Sequence, residues 1–364
     1  MKRKYRCGLI GCGRVSGSHV SFYPGWDRAE LVTCADPSAE ARSSVIEILP
    51  GCRGYDSSEK LLEREELDLV VIATRPNLHH SITVAAAEAG VGAILCEKPM
   101  ALDLGTAGDM VRVCRERGVH LAIGHQRRYD PQYRLAMETV TQGGIGQPIA
   151  AETYWPCSAG HFLGGHTRGV DGGGFIMYLG VHVFDMLHFC LGNTRSISAR
   201  LGKKSAESDV EDSAVCLLTL ENGVPAIVHL GEFLYDVVGA PPGSSSLRFF
   251  ITGTEGSVTF GDFSLSVWHR PAGASQWTEL PPPPDFDGRM GFQQLHEALY
   301  HAIKTGEGTL CDGEKAIQSQ RVAMGCYESA LRGGPVDIAG LPDHSPPATL
   351  GNSPPAGIWR IGGL

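Results

Sequence analysis

The sequence has no apolar run approaching the roughly 18 residues that a membrane-spanning helix needs. It has no Cys-x-x-Cys pair of the kind that builds a zinc knuckle. Positive charge is also short: 31 Lys and Arg face 40 Asp and Glu, for a net charge of −9. A chain so balanced is not expected to bind nucleic acid or an anionic membrane surface. No internal repeat is visible, so a solenoid is not expected. The eleven cysteines are scattered singly, several inside apolar stretches (Cys7, Cys96, Cys190, Cys216). That is how reduced thiols behave as small hydrophobes, and it points to a cytoplasmic protein. The start, Met1-Lys2-Arg3-Lys4, resembles the head of a signal peptide. Gly8, Gly11 and Gly13 break the apolar stretch behind it and no small-residue cleavage site follows, so no leader is expected.

What is present begins with length: 364 residues suffice for two domains with sizeable cores. Tyr5 to Ile10 reads as a buried parallel strand, and Gly11-Cys12-Gly13-Arg14-Val15-Ser16-Gly17 follows at once. Gly11 allows a tight turn, and Gly13 lets backbone N–H groups approach a pyrophosphate at the next helix's N-terminus. The third glycine falls one place late for the dinucleotide pattern. A second strand ends in Asp36, 25 residues beyond Gly11, where a carboxylate binds ribose hydroxyls and repels a 2′-phosphate. NAD is therefore expected ahead of NADP, with Arg42 near enough to leave NADP open. Strands and helices then alternate as far as the strand His120–Ile123, which reads as a doubly wound parallel sheet. Within it, Ile94-Leu95-Cys96 runs directly into Glu97-Lys98-Pro99. A lysine at a strand's carboxyl end points into the ligand crevice of such a sheet, and its pKa shifts readily enough for proton transfer.

Five motifs occur in order: the glycine turn, Thr74-Arg75-Pro76-Asn77 with His80, Glu97-Lys98-Pro99, Gly124-His125-Gln126-Arg127-Arg128-Tyr129, and Gly172 to Asp185. Together they resemble the glucose–fructose oxidoreductase/inositol dehydrogenase/rhizopine-catabolism (Gfo/Idh/MocA) family over residues 5–338. The resemblance implies a Rossmann domain (1–125), an α+β domain with a large, mostly antiparallel open sheet (126–340), and a Pro/Gly-rich tail (341–364). It implies a homodimer or homotetramer formed through that sheet. Thr74, Asn77, His80, Glu97 and Gln126 would join Gly11, Cys12, Gly13, Arg14, Val15, Asp36 and Lys98 at the cofactor. Arg127, Tyr154, Trp155, His161 and Arg168 would face the substrate beside Lys98, Tyr178 and His182. The second half fits from its own pattern, with a helix over 174–191, antiparallel strands from 197 to 269, and closing helices over 292–304 and 313–332.

On a regular helix Tyr178, His182 and Asp185 stand at i, i+4 and i+7 and share one face. A phenol, an imidazole and a carboxylate in one row suit a proton relay. The resemblance makes Lys98 the proton-transferring residue and His182 its partner, whereas relatives often carry an aspartate where this chain has Tyr178. Either Asp185 orients His182, or Tyr178 bonds the reacting oxygen, or turnover is poor. Aromatics and several donors suit a sugar, inositol or related polyhydroxylated ring. His161 and His166 lack a third ligand at useful spacing, so no metal is expected. Three functions remain open: an NAD(P)-dependent dehydrogenase or reductase, a glycoside-cleaving enzyme using transient oxidation, and a non-catalytic nucleotide-binding scaffold.

Overall fold

The computed structural model describes residues 3–157, 173–203, 210–231, 247–262, 264–281, 291–343 and 358–360. The chain divides into two compact units. The first comprises Met1–Ala101, Gly105–Tyr129 and Arg289–Ile317.

Its sheet is six-stranded and wholly parallel. The strands are β1 (Tyr5–Ile10), β2 (Ala29–Ala35), β3 (Arg53–Tyr55), β4 (Leu69–Ile72), β5 (Ala93–Cys96) and β6 (His120–Ile123), in the order β3-β2-β1-β4-β5-β6. Between them run α1 (Ser16–Val20), α2 (Ala39–Ile48), α3 (Ser58–Arg64), α4 (His79–Glu88) and α5 (Leu104–Arg117). Both faces of the sheet are covered, so its strands are apolar without alternation. Leu9, Leu69, Val71 and Leu95 serve one core, while Ile10, Val70, Ile72 and Ile94 serve the other. The order reverses between β1 and β4, and the carboxyl ends of all six strands lie on one edge, where such sheets take ligands.

The helix α8 (Gly291–Thr305) was expected to close the second domain, but it belongs to this first unit. Leu295, Leu299 and Tyr300 pack with Tyr23, Trp26 and Leu31. That burial, not chain order, decides its place.

The second unit comprises Leu102–Leu104, Asp130–Gly288 and Gln318–Leu364. It holds α6 (Pro131–Thr141), α7 (Val181–Leu191) and most of α9 (Gly313–Arg332) with a mixed sheet. Its strands are β7 (Pro148–Pro156), β8 (Thr194–Lys203), β9 (Ser213–Leu220), β10 (Pro225–Gly231), β11 (Arg248–Gly253), β12 (Gly256–Gly261), β13 (Ser264–Pro271), β14 (Thr278–Leu280) and β15 (Val336–Asp337). They run in the order β14-β13-β12-β11-β7-β10-β9-β8-β15, and β16 (Ile358–Arg360) adds parallel to β8. Most pairings are antiparallel, and β7 with β10 is parallel. One face carries the core around Trp155, Phe184, Phe249 and Phe260. The expected single helix over 174–191 is interrupted: Ile176–Gly180 is a π-helical turn, closed by the Val181 N–H on Ile176 O. Tyr178 sits in that turn and His182 and Asp185 in the α-helix after it, so the three do not share one regular helix. Among the described residues, no helix is long and apolar enough to cross a membrane.

Candidate active site

In the first unit the glycine turn leaves β1 at the sheet's reversal point. Gly11 has φ +95°, and a Cβ there would stand 2.5 Å from Ala73 O at the end of β4. Only glycine meets both conditions. A Cβ on Gly13 would meet nothing within 4 Å, so that residue borders open space. The late third glycine, Gly17, also borders open space. The third place of the regular pattern holds buried Ser16, whose Oγ donates to Gly13 O at 2.6 Å and ties the turn to α1. Arg14 and Val15 lie between them, exposed and half-buried.

Asp36 closes the next strand. Its carboxylate accepts the Cys12 N–H at 2.9 Å and the Ser38 N–H at 2.8 Å. The acid therefore holds the glycine turn and the entry to α2 together, with lone pairs left for two further hydroxyls. Arg42 donates to the backbone O of Asp36 at 2.5 Å. An open glycine turn beside an acceptor-only carboxylate is a donor and acceptor set that fits the pyrophosphate and ribose of a dinucleotide.

The Glu97-Lys98-Pro99 corner follows β5, and the Lys98–Pro99 peptide bond is cis. Lys98 is half-buried, and its ammonium is lowered from 10.5 to about 8. Burial lowers it most; Glu97 opposes, and Arg127 and Arg14 lower it further. Glu97 is no solvated turn charge. It is buried, its Oε1 lies 3.0 Å from His19 Nε2, and its Oε2 accepts the Lys98 N–H at 3.1 Å. Burial pushes its carboxyl up, but His19, Lys98 and that N–H together hold it below the ordinary range.

His80 was expected at the cofactor. Its Nε2 lies 2.8 Å from Asp109 Oδ2 on α5. The residue before it takes the interior place: His79 is fully buried, with Nδ1 2.9 Å from Pro99 O and Nε2 3.2 Å from Thr74 O. Burial lowers its pKa, and a neutral ring donates only once, so one of these two carbonyls takes its proton. His79 thus braces the corner against the loop after β4. Thr74 is half-buried and Asn77 exposed on that loop, and Gln126 and Arg127 are half-buried in the 3-10 turn after β6.

In the second unit, Trp155 and His182 are buried with ring centroids 6.4 Å apart. Tyr154 cannot share that side. Adjacent strand residues point to opposite faces, and Tyr154 is exposed on the other face, 5.2 Å from the His229 ring. Tyr178 is half-buried and Asp185 buried. His161, His166 and Arg168 lie outside the described residues. Absent from the sequence-based expectations is Glu211, which is fully buried. Its Oε1 accepts the Ile176 N–H at 2.8 Å and lies 2.7 Å from Tyr327 Oη, while Oε2 is buried with no hydrogen-bond partner among the described residues. Burial raises its carboxyl from 4.5 to about 7, and it anchors the start of the π-helical turn. Among the described residues, no group of three or more His, Cys, Asp or Glu could hold a metal ion.

Residues 5–125 match the family model described as an oxidoreductase family with an NAD-binding Rossmann fold, and residues 133–259 match the GFO/IDH/MocA C-terminal domain. The D-apiose dehydrogenase of Paraburkholderia graminis is 26% identical over 359 residues, covering 96% of this chain and 94% of its own. The UDP-N-acetylglucosamine 3-dehydrogenase of Acidithiobacillus ferrooxidans is 31% identical over 317 residues, 85% of this chain and 91% of its own. Among solved structures, the WlbA dehydrogenase of Bordetella pertussis in complex with NADH and UDP-GlcNAcA superposes with a TM-score of 0.79 at 26% identity. That alignment covers 93% of this chain and 99% of the other.

Proposed function

The chain belongs to the Gfo/Idh/MocA oxidoreductase family and carries its NAD-binding Rossmann domain, and from that premise we propose a specific reaction for it. The enzyme transfers a hydride between nicotinamide and a secondary hydroxyl of a sugar, an inositol or a related polyhydroxylated ring. The observation that carries this reading is Lys98: a half-buried amine at the carboxyl end of β5, lowered to about 8 by burial, Arg127 and Arg14. Such an amine exchanges its proton near neutrality, which a base for a carbinol hydroxyl must do.

NAD, when bound, accepts or returns the hydride. Gly11 to Val15 and Asp36 hold it, with Thr74, Asn77, Glu97 and Gln126 along the same strand ends, and NADP remains a weaker alternative. Lys98 takes the proton from the hydroxyl oxygen during oxidation and gives it back during reduction. His182, buried beside Trp155, is the second proton-transfer group. The named substrates of two relatives, D-apiose and UDP-N-acetylglucosamine, support a polyhydroxylated ring as the substrate class.

We place the enzyme in a reducing, cytoplasmic setting, since all eleven cysteines are free thiols. We also assign the outer face of the second unit's sheet to a homodimer or homotetramer, because it exposes Tyr154, Val215, Leu217 and Ile227 on three adjacent strands.

The test follows NADH with a panel of aldoses, nucleotide sugars and inositols. NADH formation that Lys98→Ala lowers roughly 100- to 10,000-fold, with NAD affinity retained, supports the reading. NAD binding without turnover on any member counts against it. Release of an aglycone without net NADH would assign the glycoside-cleaving variant instead.

A further inference from the structure

The backbone ladder of the first unit ends one residue before Lys98. The Glu97 N–H still donates to Ile72 O on β4 at 2.8 Å, and the Gly124 N–H to Cys96 O at 2.8 Å. Beyond that point the Lys98 N–H turns back onto Glu97 Oε2 at 3.1 Å, and Pro99 has no N–H to give. The corner leaves the sheet there, yet Pro99 and Met100 are buried. A buried carbonyl outside the ladder needs its donor from elsewhere. His79 stands in that place, with Nδ1 2.9 Å from Pro99 O. On its other side Nε2 is 3.2 Å from Thr74 O. Thr74 follows Ala73, whose N–H donates to Ile10 O at 2.7 Å. One imidazole therefore sits between the ends of two adjacent strands, β4 and β5, and the first of these is tied to the strand that feeds the glycine turn.

Local structure keeps the ring there. The 3-10 turn Pro76–Leu78 delivers His79 to the start of α4, and the His79 N–H donates to Pro76 O. Ile82, Thr83 and Ala86 continue the same buried helix face. His79 is completely buried, and burial holds its imidazole below the ordinary range against the pull of Glu97 and the facing carbonyls. A neutral ring has one proton for two acceptors. Thr74 is half-buried and precedes exposed Arg75, whereas Pro99 is buried. An acceptor left unpaired away from water costs more than one that water can reach, so the proton belongs on Nδ1, facing Pro99 O.

We propose that His79 is a positioning residue: by donating from Nδ1 to Pro99 O it holds the Lys98 corner down at the edge of the sheet. The inference rests on Lys98 being the proton-transfer group, and His79 acts through that corner without taking part in the chemistry. Burial is the largest cause of the lowered Lys98 pKa, ahead of Glu97, Arg127 and Arg14. A corner released from His79 lets water reach the amine, and the lysine then keeps its proton to higher pH.

The experiment titrates Lys98 in cofactor-free protein, using the NMR signal of its labelled Cε, assigned by its loss in Lys98→Arg. Wild type is expected to titrate near 8. His79→Ala should move the midpoint up by about one unit. Asparagine carries an amide N–H at the place of Nδ1 and glutamine at the place of Nε2. His79→Asn should therefore keep the midpoint near that of wild type, and His79→Gln should behave as His79→Ala. Ile82→Ala, a cavity on the same helix face, should lower the melting temperature and leave the Lys98 midpoint where it is. Nitrogen-15 spectra of wild type should show His79 as the neutral Nδ1–H tautomer. A folded His79→Ala with an unchanged midpoint, rescue by Gln in place of Asn, or an Nε2–H tautomer overturns the proposal. With a substrate in hand, His79→Ala should lower kcat about 100-fold, as a displaced base does, and His79→Asn should restore most of it. The midpoints and spectra need no substrate. Failure to turn over any polyol would sink the reaction assigned above while leaving them intact, and an unmoved midpoint would sink this proposal while leaving the reaction.

Discussion

At the scale of single residues, Lys98 and the glycine turn allow the sharpest tests. The neutral amine is the base for oxidation, and its fraction grows as pH rises through its pKa. Oxidation should therefore climb through about pH 8, while reduction, which needs the ammonium, should fall over the same range. Opposite slopes in the two directions, each lost in Lys98→Ala, would check this. The two glycines should separate folding from binding. Gly11→Ala must force a Cβ against Ala73 O at a φ of +95°, so the fold should lose about 1–3 kcal/mol, read as a fall in melting temperature. Gly13→Ala meets no protein atom within 4 Å, so melting should be unchanged. Its methyl instead enters the space assigned to the pyrophosphate, and NAD affinity measured by calorimetry should fall about tenfold, near 1.4 kcal/mol. Equal NAD affinity in Gly13→Ala and wild type would move the cofactor away from this turn.

At the scale of elements, Glu211 shows how a buried acid can govern a helix start. Tyr327 Oη lies 2.7 Å from both Gly173 O and Glu211 Oε1, yet a phenol has one proton to give. A carbonyl cannot supply the second, whereas a protonated Glu211 can. Its folded pKa of about 7 exceeds the ordinary 4.5, so between those values the folded state holds a proton that the unfolded state has released. Stability should therefore fall as pH rises from 4.5 through 7. Glu211→Gln should remove that slope and exceed wild type above pH 7 by something on the order of 3 kcal/mol at most, measured by denaturant titration at several pH values.

Much of this architecture was legible beforehand. Leu69–Ile72 is fully buried and reads as an unbroken apolar run, as a parallel strand covered on both faces must. Two side-chain orientations carried readable signals. Ile82, Thr83 and Ala86 stand three, four and seven residues after His79, which puts His79 on the buried face of α4 and His80 off it. Alternation along Ala151, Thr153 and Trp155 likewise turns Tyr154 outward. Other features had no local signal. The π-helical turn leaves no periodic trace, and His19 meets His296 across 277 residues of chain. The docking of α8 on the first unit depends on surfaces remote in sequence.

At the scale of the whole molecule, the question is what covers the second unit's outer sheet face. β7, β10 and β9 are adjacent, and their register brings the exposed side chains into rows. His229 pairs with both Tyr154 and Val215, and Ile227 pairs with both Glu152 and Leu217. Leu217 is 53% exposed and Ile227 48%, so the two form one apolar step in mid-sheet instead of isolated surface residues. Monomeric proteins rarely leave such contiguous patches bare, and a flat sheet face can bury the roughly 1,000 Å² that a stable interface requires. Leu217→Lys and Ile227→Lys each place an ammonium in that patch. Burying an unpaired charge between copies costs far more than exposing it on one. Sedimentation should therefore show a dimer or tetramer for wild type and a smaller species for either variant. The circular dichroism of the variants should be unchanged, because both side chains already face outward. A wild-type protein that sediments as a monomer at micromolar concentration would remove the assembly assigned to this face.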